Sequence, residues 1–135
     1  MTLPEENKQA LIEYRLAQAV ELIDEVAFLI DNKKLIFAVN RIYYGSFYAL
    51  TALALREGSK TSKHGQLMGW FNKNYVATGK FDKKYGKFLF KAFRKRQIGD
   101  YEAFSDFTKE EVVALSVTMK EFIEQVKTVL SEQGQ

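Results

Sequence analysis

Between Leu11 and Ile30 an apolar side chain returns every three or four residues: Leu11, Ile12, Leu16, Ala19, Leu22, Ile23, Val26, Leu29 and Ile30. That spacing is one face of an α-helix, whereas a half-buried strand would alternate every second residue. Glu13, Gln18, Glu21 and Asp24 fall largely outside the stripe, so the helix is amphipathic and needs a partner to cover it. It is predicted to run from Glu5 to Asp31, with Pro4 tolerable in the first turn. Asp31-Asn32 is a tight joint, which points to an antiparallel helical hairpin.

The next segment, predicted helical from Lys33 to Glu57, is the most apolar of the chain and carries two stripes. Ile36, Val39, Tyr43, Phe47, Leu50 and Ala54 make one; Phe37, Arg41, Tyr44, Tyr48 and Leu55 make the other. A helix apolar on two sides is central in a bundle or also packs on another chain. Gly58 is a natural C-terminal cap. Ser62 is placed to cap a short third helix through Tyr75, docked by Leu67, Met68, Trp70 and Phe71. A fourth helix is predicted from Asp82 to Ile98. Thr108-Lys109-Glu110-Glu111 has the form of a capping box, with the threonine oxygen accepting an amide hydrogen bond and Glu111 reaching back. The helix it opens runs to Leu130 on Val112, Leu115, Met119, Phe122, Val126 and Val129. Phe104 and Phe107, in the loop before it, are expected to pin that loop to the core, and the polar tail from Ser131 is expected to fray.

No strand-like alternation, internal repeat or long linker interrupts this pattern. With 135 residues, 47% hydrophobic content and one proline, the chain reads as a single all-α domain over residues 1–135. The expected architecture is an antiparallel up-and-down helical bundle of four long helices plus one short helix. The absence of cysteine rules out a disulfide framework and a thiolate metal site, and the single histidine rules out any site that needs two. No apolar run reaches the roughly 18 residues of a membrane span, and Glu5 and Glu6 so early do not read as a signal peptide. The cytoplasm is the expected location, and neither a metal nor a cofactor is called for.

The net charge of +3 conceals an asymmetry. Residues 56–96 hold twelve Lys or Arg against two carboxylates, a net +10, while the remainder holds eight against fifteen, a net −7. A basic middle between acidic arms attracts phosphate, RNA, a nucleotide or an acidic protein. A lysine-rich solvated helix face accounts for the same numbers equally well.

The stretch from Lys91 to Tyr101 is the one with the clearest chemistry. Tyr85, Phe88, Leu89, Ala92 and Phe93 set up an apolar stripe, and its continuation falls on Arg96. A guanidinium on the buried side of a helix is costly unless it has a partner or reaches solvent. Gly99 is expected to stop the helix, leaving Asp100 and Tyr101 at the turn beside Arg96. A planar cation, a carboxylate and a phenol would then meet at one helix end.

Three motifs, in order, resemble one family. Ala38-Val39-Asn40-Arg41-Ile42-Tyr43-Tyr44-Gly45-Ser46-Phe47-Tyr48 is similar to the second-helix signature of HEPN proteins (higher eukaryotes and prokaryotes nucleotide-binding). Lys63-His64-Gly65-Gln66-Leu67 resembles the loop after it, and Arg94-Lys95-Arg96-Gln97-Ile98-Gly99-Asp100-Tyr101 resembles the end of the fourth helix. The resemblance implies a helical-bundle homodimer of a toxin-antitoxin module, often encoded beside a minimal nucleotidyltransferase that acts as antitoxin. Active nucleases of the family carry arginine, four to six residues, then histidine. Arg96 matches the arginine, and the histidine position falls on or near Tyr101.

Metal-independent RNA cleavage needs a base for the 2′-hydroxyl, an acid for the leaving 5′-oxygen and a cation for the phosphorane. The resemblance therefore points to Arg96, Asp100 and Tyr101 as catalytic candidates. Arg41, Lys63, His64, Arg94 and Lys95 are candidates for binding RNA or a nucleotide, with Asn40 nearby. Tyr101 is also the candidate target of nucleotide transfer by the nucleotidyltransferase partner. Two other readings compete. One is a non-catalytic HEPN module binding a nucleotide or a nucleotidyltransferase through its basic face; the other is an Arg96–Asp100 ion pair that only caps the fourth helix.

Overall fold

The computed structural model describes residues 4–59, 61, 63–101 and 106–132, with the side chain of Tyr101 outside that set. Its elements are α1 (Glu5–Asp31), α2 (Leu35–Arg56), α3 (His64–Phe71), a π-helical turn (Asn72–Val76), α4 (Lys83–Tyr101) and α5 (Lys109–Ser131). Together they form an all-α bundle, with no strand among the described residues. None of its helices is long and apolar enough to cross a membrane.

The α1–α2 joint closes as a hairpin for local reasons. Lys33 adopts a left-handed conformation with φ of 61°, and its amide and that of Lys34 donate to the carbonyls of Ile30 and Leu29 at 3.0 and 2.8 Å. That pairing satisfies carbonyls which the end of a helix would otherwise leave unmade. Gly58 closes α2 in the same way with φ of 78°, in agreement with its expected capping role. At the other end of the chain, Thr108 Oγ1 accepts from the Glu111 amide at 3.1 Å and starts α5. The Glu111 carboxylate is directed to Lys95 Nζ, 3.8 Å away. The expected cap at Ser62 and the anchoring of Phe104 lie outside the described residues, whereas Phe107 is buried as expected.

α2 is the central element and packs against α1, α3, α4 and α5. Its two apolar stripes follow from that position: Val39, Tyr43, Phe47, Leu50 and Ala54 are buried, while Tyr44, Tyr48 and Leu55 pack at the margin of the core. Ile36 and Phe37, at its start, remain exposed. Gly45 lies where a Cβ would run into the end of the Met119 side chain and come within 3.3 Å of Leu22, so its lack of a side chain lets α1 and α5 close on α2.

A second layer of the core is aromatic. Phe122 of α5 meets Phe71, Phe81, Tyr85 and Phe88, with ring centroids 5.6 to 6.4 Å apart. Such edge-to-face and tilted packing adds to the gain from area burial. Beside it, Arg56 donates to the Val129 carbonyl at 2.7 Å and pairs with Glu57 at 3.0 Å. The Tyr75 hydroxyl donates to the same Glu57 oxygen at 2.8 Å. Burial and the Glu57 carboxylate push the Tyr75 phenol up to about 12, so it keeps its proton. This network ties the ends of α2 and α5 to the π-helical turn.

The end of α4 departs from the sequence expectation. Gly99 does not stop the helix, which continues through Asp100 to Tyr101. Glycine in a helix interior costs roughly 0.5–1 kcal/mol relative to alanine. Here the neighbours lie close: an added Cβ would approach Phe107 Cε2 to 3.2 Å and Ile36 Cγ2 to 3.4 Å. Asp100 is therefore one helical turn from Arg96 on the same face, not in a turn beyond it.

Candidate functional site

Arg96 enters the structure on the inner side of α4, facing α2. Its guanidinium carbon lies 4.4 Å from the centroid of the Tyr43 ring and 5.8 Å from that of Tyr44, a double cation–π contact. Nη1 donates to Asp100 Oδ2 at 3.3 Å. The side chain is 15% exposed, so the cation is shielded but reaches the surface. Burial works against the charge, but Tyr43, Asp100 and Tyr44 outweigh it and hold the guanidinium firmly protonated. Nε is buried and makes no hydrogen bond among the described residues. A donor left unmade in such a place costs about 1–3 kcal/mol and calls for an explanation in function or bound water.

The partner that sequence reasoning did not assign to Arg96 is His64. It stands at the start of α3, where the chain returns over α2, and its Nδ1 is hydrogen-bonded to the Tyr43 hydroxyl. The imidazole stacks on Phe47 with ring centroids 4.4 Å apart and an interplanar angle of 22°. Burial, with a smaller push from the Arg96 charge, lowers the His64 pKa below the usual histidine value. The ring is therefore neutral at pH 7. Burial raises the Tyr43 phenol despite the opposing pull of Arg96, so Tyr43 stays protonated. Arg96, Tyr43 and His64 thus form a row across three helices, with the phenol in the middle.

Two clefts open beside this row. One, of about 490 Å³, is lined by Arg15, Tyr44, Phe47, Tyr48, Thr51, Ala54, Leu55, Ser59, Thr61 and His64. The other, of about 370 Å³, is lined by Gln18, Glu21, Leu22, Arg41, Tyr44 and Tyr48. Tyr44 and Tyr48 form the wall between them.

Of the residues singled out in the sequence, Arg96, Asp100 and His64 come together around Tyr43. Arg41 faces the smaller cleft, with Nε 3.0 Å from Glu25 and Nη1 hydrogen-bonded to Asn40. Lys63 precedes α3 and is exposed, as is Arg94. Lys95 turns away, lying 3.8 Å from Glu111 and 5.8 Å from the Phe107 ring centroid on the α5 side. Tyr101 ends α4 in backbone terms. Whether its phenol shares a cavity with Arg96 falls outside the described residues. Tyr43 was assigned to the core from sequence, and it does lie there; that its ring is also the floor under Arg96 had no local signal. Arg15 had one: it sits four residues after Leu11 and seven before Leu22, on the margin of the buried stripe.

The HEPN domain family matches residues 12–129, nearly the whole described bundle. The chain belongs to the HEPN domain family. A UPF0332 protein of Thermotoga maritima is 42% identical over 106 residues, which cover 78% of this chain and 80% of that one. A Methanocaldococcus jannaschii protein named as a candidate toxin is 30% identical over 127 residues, 94% of this chain and 91% of its own length. A second protein of the same organism, also named as a candidate toxin, is 36% identical over 75 residues, 56% of this chain and 51% of its own. In this HEPN chain the arginine near the end of α4 and the histidine that opens α3 both contact Tyr43.

Proposed function

We propose that this HEPN protein is a toxin-like ribonuclease that cleaves RNA without a metal ion, with Arg96 and His64 as its central pair. The observation that carries this reading is the Tyr43 phenol, which touches the guanidinium with its ring and the imidazole with its hydroxyl. A neutral imidazole is the base that the 2′-hydroxyl needs. The tautomer that serves as base carries its proton on Nδ1, which donates to the Tyr43 oxygen, and leaves the Nε2 lone pair free to take the 2′-hydroxyl proton. The 2′-oxygen forms its bond to phosphorus, and the bond from phosphorus to the 5′-oxygen breaks. Arg96, kept charged and oriented by Asp100, faces the developing charge on the phosphorane. Tyr101 is the proposed proton donor to the leaving 5′-oxygen, since a phenol is far more acidic than an alcohol. Nucleotide transfer onto Tyr101 by a nucleotidyltransferase partner would remove that donor.

A homodimer fits the same reading. Ile36 and Phe37 are 40% and 58% exposed, and Ile36 lies against Gly99, one turn from Arg96. Covering this apolar edge with a second copy would bring two Arg96 residues toward one groove. The alternative, a module that binds a nucleotide or a nucleotidyltransferase without turnover, draws support from the exposed lysines of α4. Lys84 and Lys87 line a shallow surface with Lys91.

The test is cleavage of a labelled RNA by the wild-type chain and by His64→Gln. Loss of the base is expected to slow cleavage by about 10²–10⁴-fold. The wild-type rate should rise with pH through the depressed His64 pKa and level off above it, because only the neutral imidazole accepts a proton. The same shift gives a stability signature of known sign. The folded pKa lies below the unfolded value near 6.5, so the contribution is complete above that value and is lost as pH falls through the folded one. Wild-type RNA left intact under all conditions, with nucleotide still bound, would favour the non-catalytic module.

A further inference from the structure

We infer that the larger cleft, between α1, α2 and the start of α3, holds one unpaired nucleotide of a single-stranded RNA, with its base against Tyr48 and its phosphate at Arg15. The choice of RNA rests on the ribonuclease reading, while the chemistry of the pocket stands by itself. At about 490 Å³ the cleft is in the range of roughly 300–1,000 Å³ typical of small-ligand sites. Among the described residues no carboxylate lines it, whereas the neighbouring cleft contains Glu21.

Arg15 supplies the anion-binding charge. Its Nη1 donates to Gln18 Oε1 at 2.7 Å, and its guanidinium carbon lies 5.4 Å from the Tyr14 ring centroid. Both of these partners are neutral, so the cation has no counter-charge among the described residues. Arg41, in the other cleft, is already paired with Glu25. An unneutralised guanidinium at the edge of a carboxylate-free cleft suits a phosphate.

Tyr44 and Tyr48 supply the platform. Their ring centroids are 6.3 Å apart and the planes are inclined by 37°, so neither face is used up by the other. Both side chains are half-buried, which holds the rings while leaving surface for a base. Stacking tolerates any base; the hydroxyl of Thr51, on the cleft wall, offers a hydrogen bond to its edge. His64 lines the same cleft and joins it to the Tyr43–Arg96 row. A nucleotide seated here would present its flanking phosphate toward that row.

The experiment uses a fluorescein-labelled 2′-O-methyl oligonucleotide, which cannot be cleaved, titrated with the full chain and followed by anisotropy. Tyr48→Leu and Arg15→Gln are each expected to weaken binding about tenfold, and Tyr48→Phe to retain it, because the ring and not the hydroxyl stacks. Arg15→Gln should also flatten the dependence of log affinity on log salt by about 0.7, the value for one phosphate contact on a single strand. Thermal melts establish that each variant is folded. Unchanged affinity in folded Tyr48→Leu and Arg15→Gln overturns the proposal. A nucleoside monophosphate that binds as tightly as the oligonucleotide overturns the assignment to RNA and makes a free nucleotide the occupant. If the chain proves not to cleave RNA, dependence of oligonucleotide binding on Tyr48 and Arg15 still upholds the site, so the two ideas fail separately.

Discussion

Arg96→Ala is expected to cleave RNA about 10²–10³-fold more slowly than the wild-type chain, the loss that follows removal of one preorganised group facing an oxyanion. The size of the effect comes from where the cation sits. Its guanidinium is 4.4 Å from the Tyr43 ring centroid and only 15% of the side chain is exposed, so water screens it weakly. Arg96→Lys keeps the charge but loses the planar face that rests on Tyr43, and should recover only part of the rate. Stability should change modestly, by about 1–2 kcal/mol, because the cation–π contacts are lost while the unbonded Nε goes with them. The Asp100 contact is an i,i+4 pair with an exposed partner, a type that contributes about 0.3–0.5 kcal/mol. Single-turnover cleavage together with thermal melts checks both statements. A large fall in melting temperature with no separate loss of rate would return Arg96 to a structural role as the cap of α4.

Phe122→Ala is expected to destabilise the fold by about 3–5 kcal/mol, the usual cost of emptying an aromatic site in a core. Phe122 is fully buried and touches the rings of Phe71, Phe81, Tyr85 and Phe88. Those rings come from α3, the loop before α4 and α4 itself, and they cannot all move to fill one space. Native domains are stable by only about 5–15 kcal/mol in total, so this single change should remove a large share. Urea unfolding monitored by circular dichroism measures it. Val117→Ala is the control on the same helix: at 54% exposure it should stay within about 0.5 kcal/mol of wild type. A small effect of Phe122→Ala would mean that the aromatic layer can repack.

These two changes also mark the boundary between what was legible in the sequence and what was not. Phe122 was placed in the core from its spacing with Leu115, Met119, Val126 and Val129, and it is there. Arg96 was singled out because it continues the stripe of Leu89 and Ala92, and its side chain is indeed turned inward. Both inferences use only residues within one or two turns of a single helix. Gly99 shows where such reasoning ends. Its local context reads as a stop, but the helix runs through it, and Phe107 and Ile36, one from the next segment and one from α2, crowd the place a side chain would take.

The sequence by itself determined the number, kind and approximate limits of the helices, the caps at Gly58 and Thr108, and the family. Periodicity, capping chemistry and family motifs are all carried by residues near one another in the chain. Only the tertiary structure decided that His64 and Arg96, separated by 32 positions, meet on the two sides of Tyr43. Among the described residues it likewise left Arg15 without a counter-charge at the rim of a cleft while giving Arg41 to Glu25. Contacts of this kind depend on how α1, α3 and α4 are laid around α2, and that arrangement follows from the packing of the whole core rather than from any local pattern.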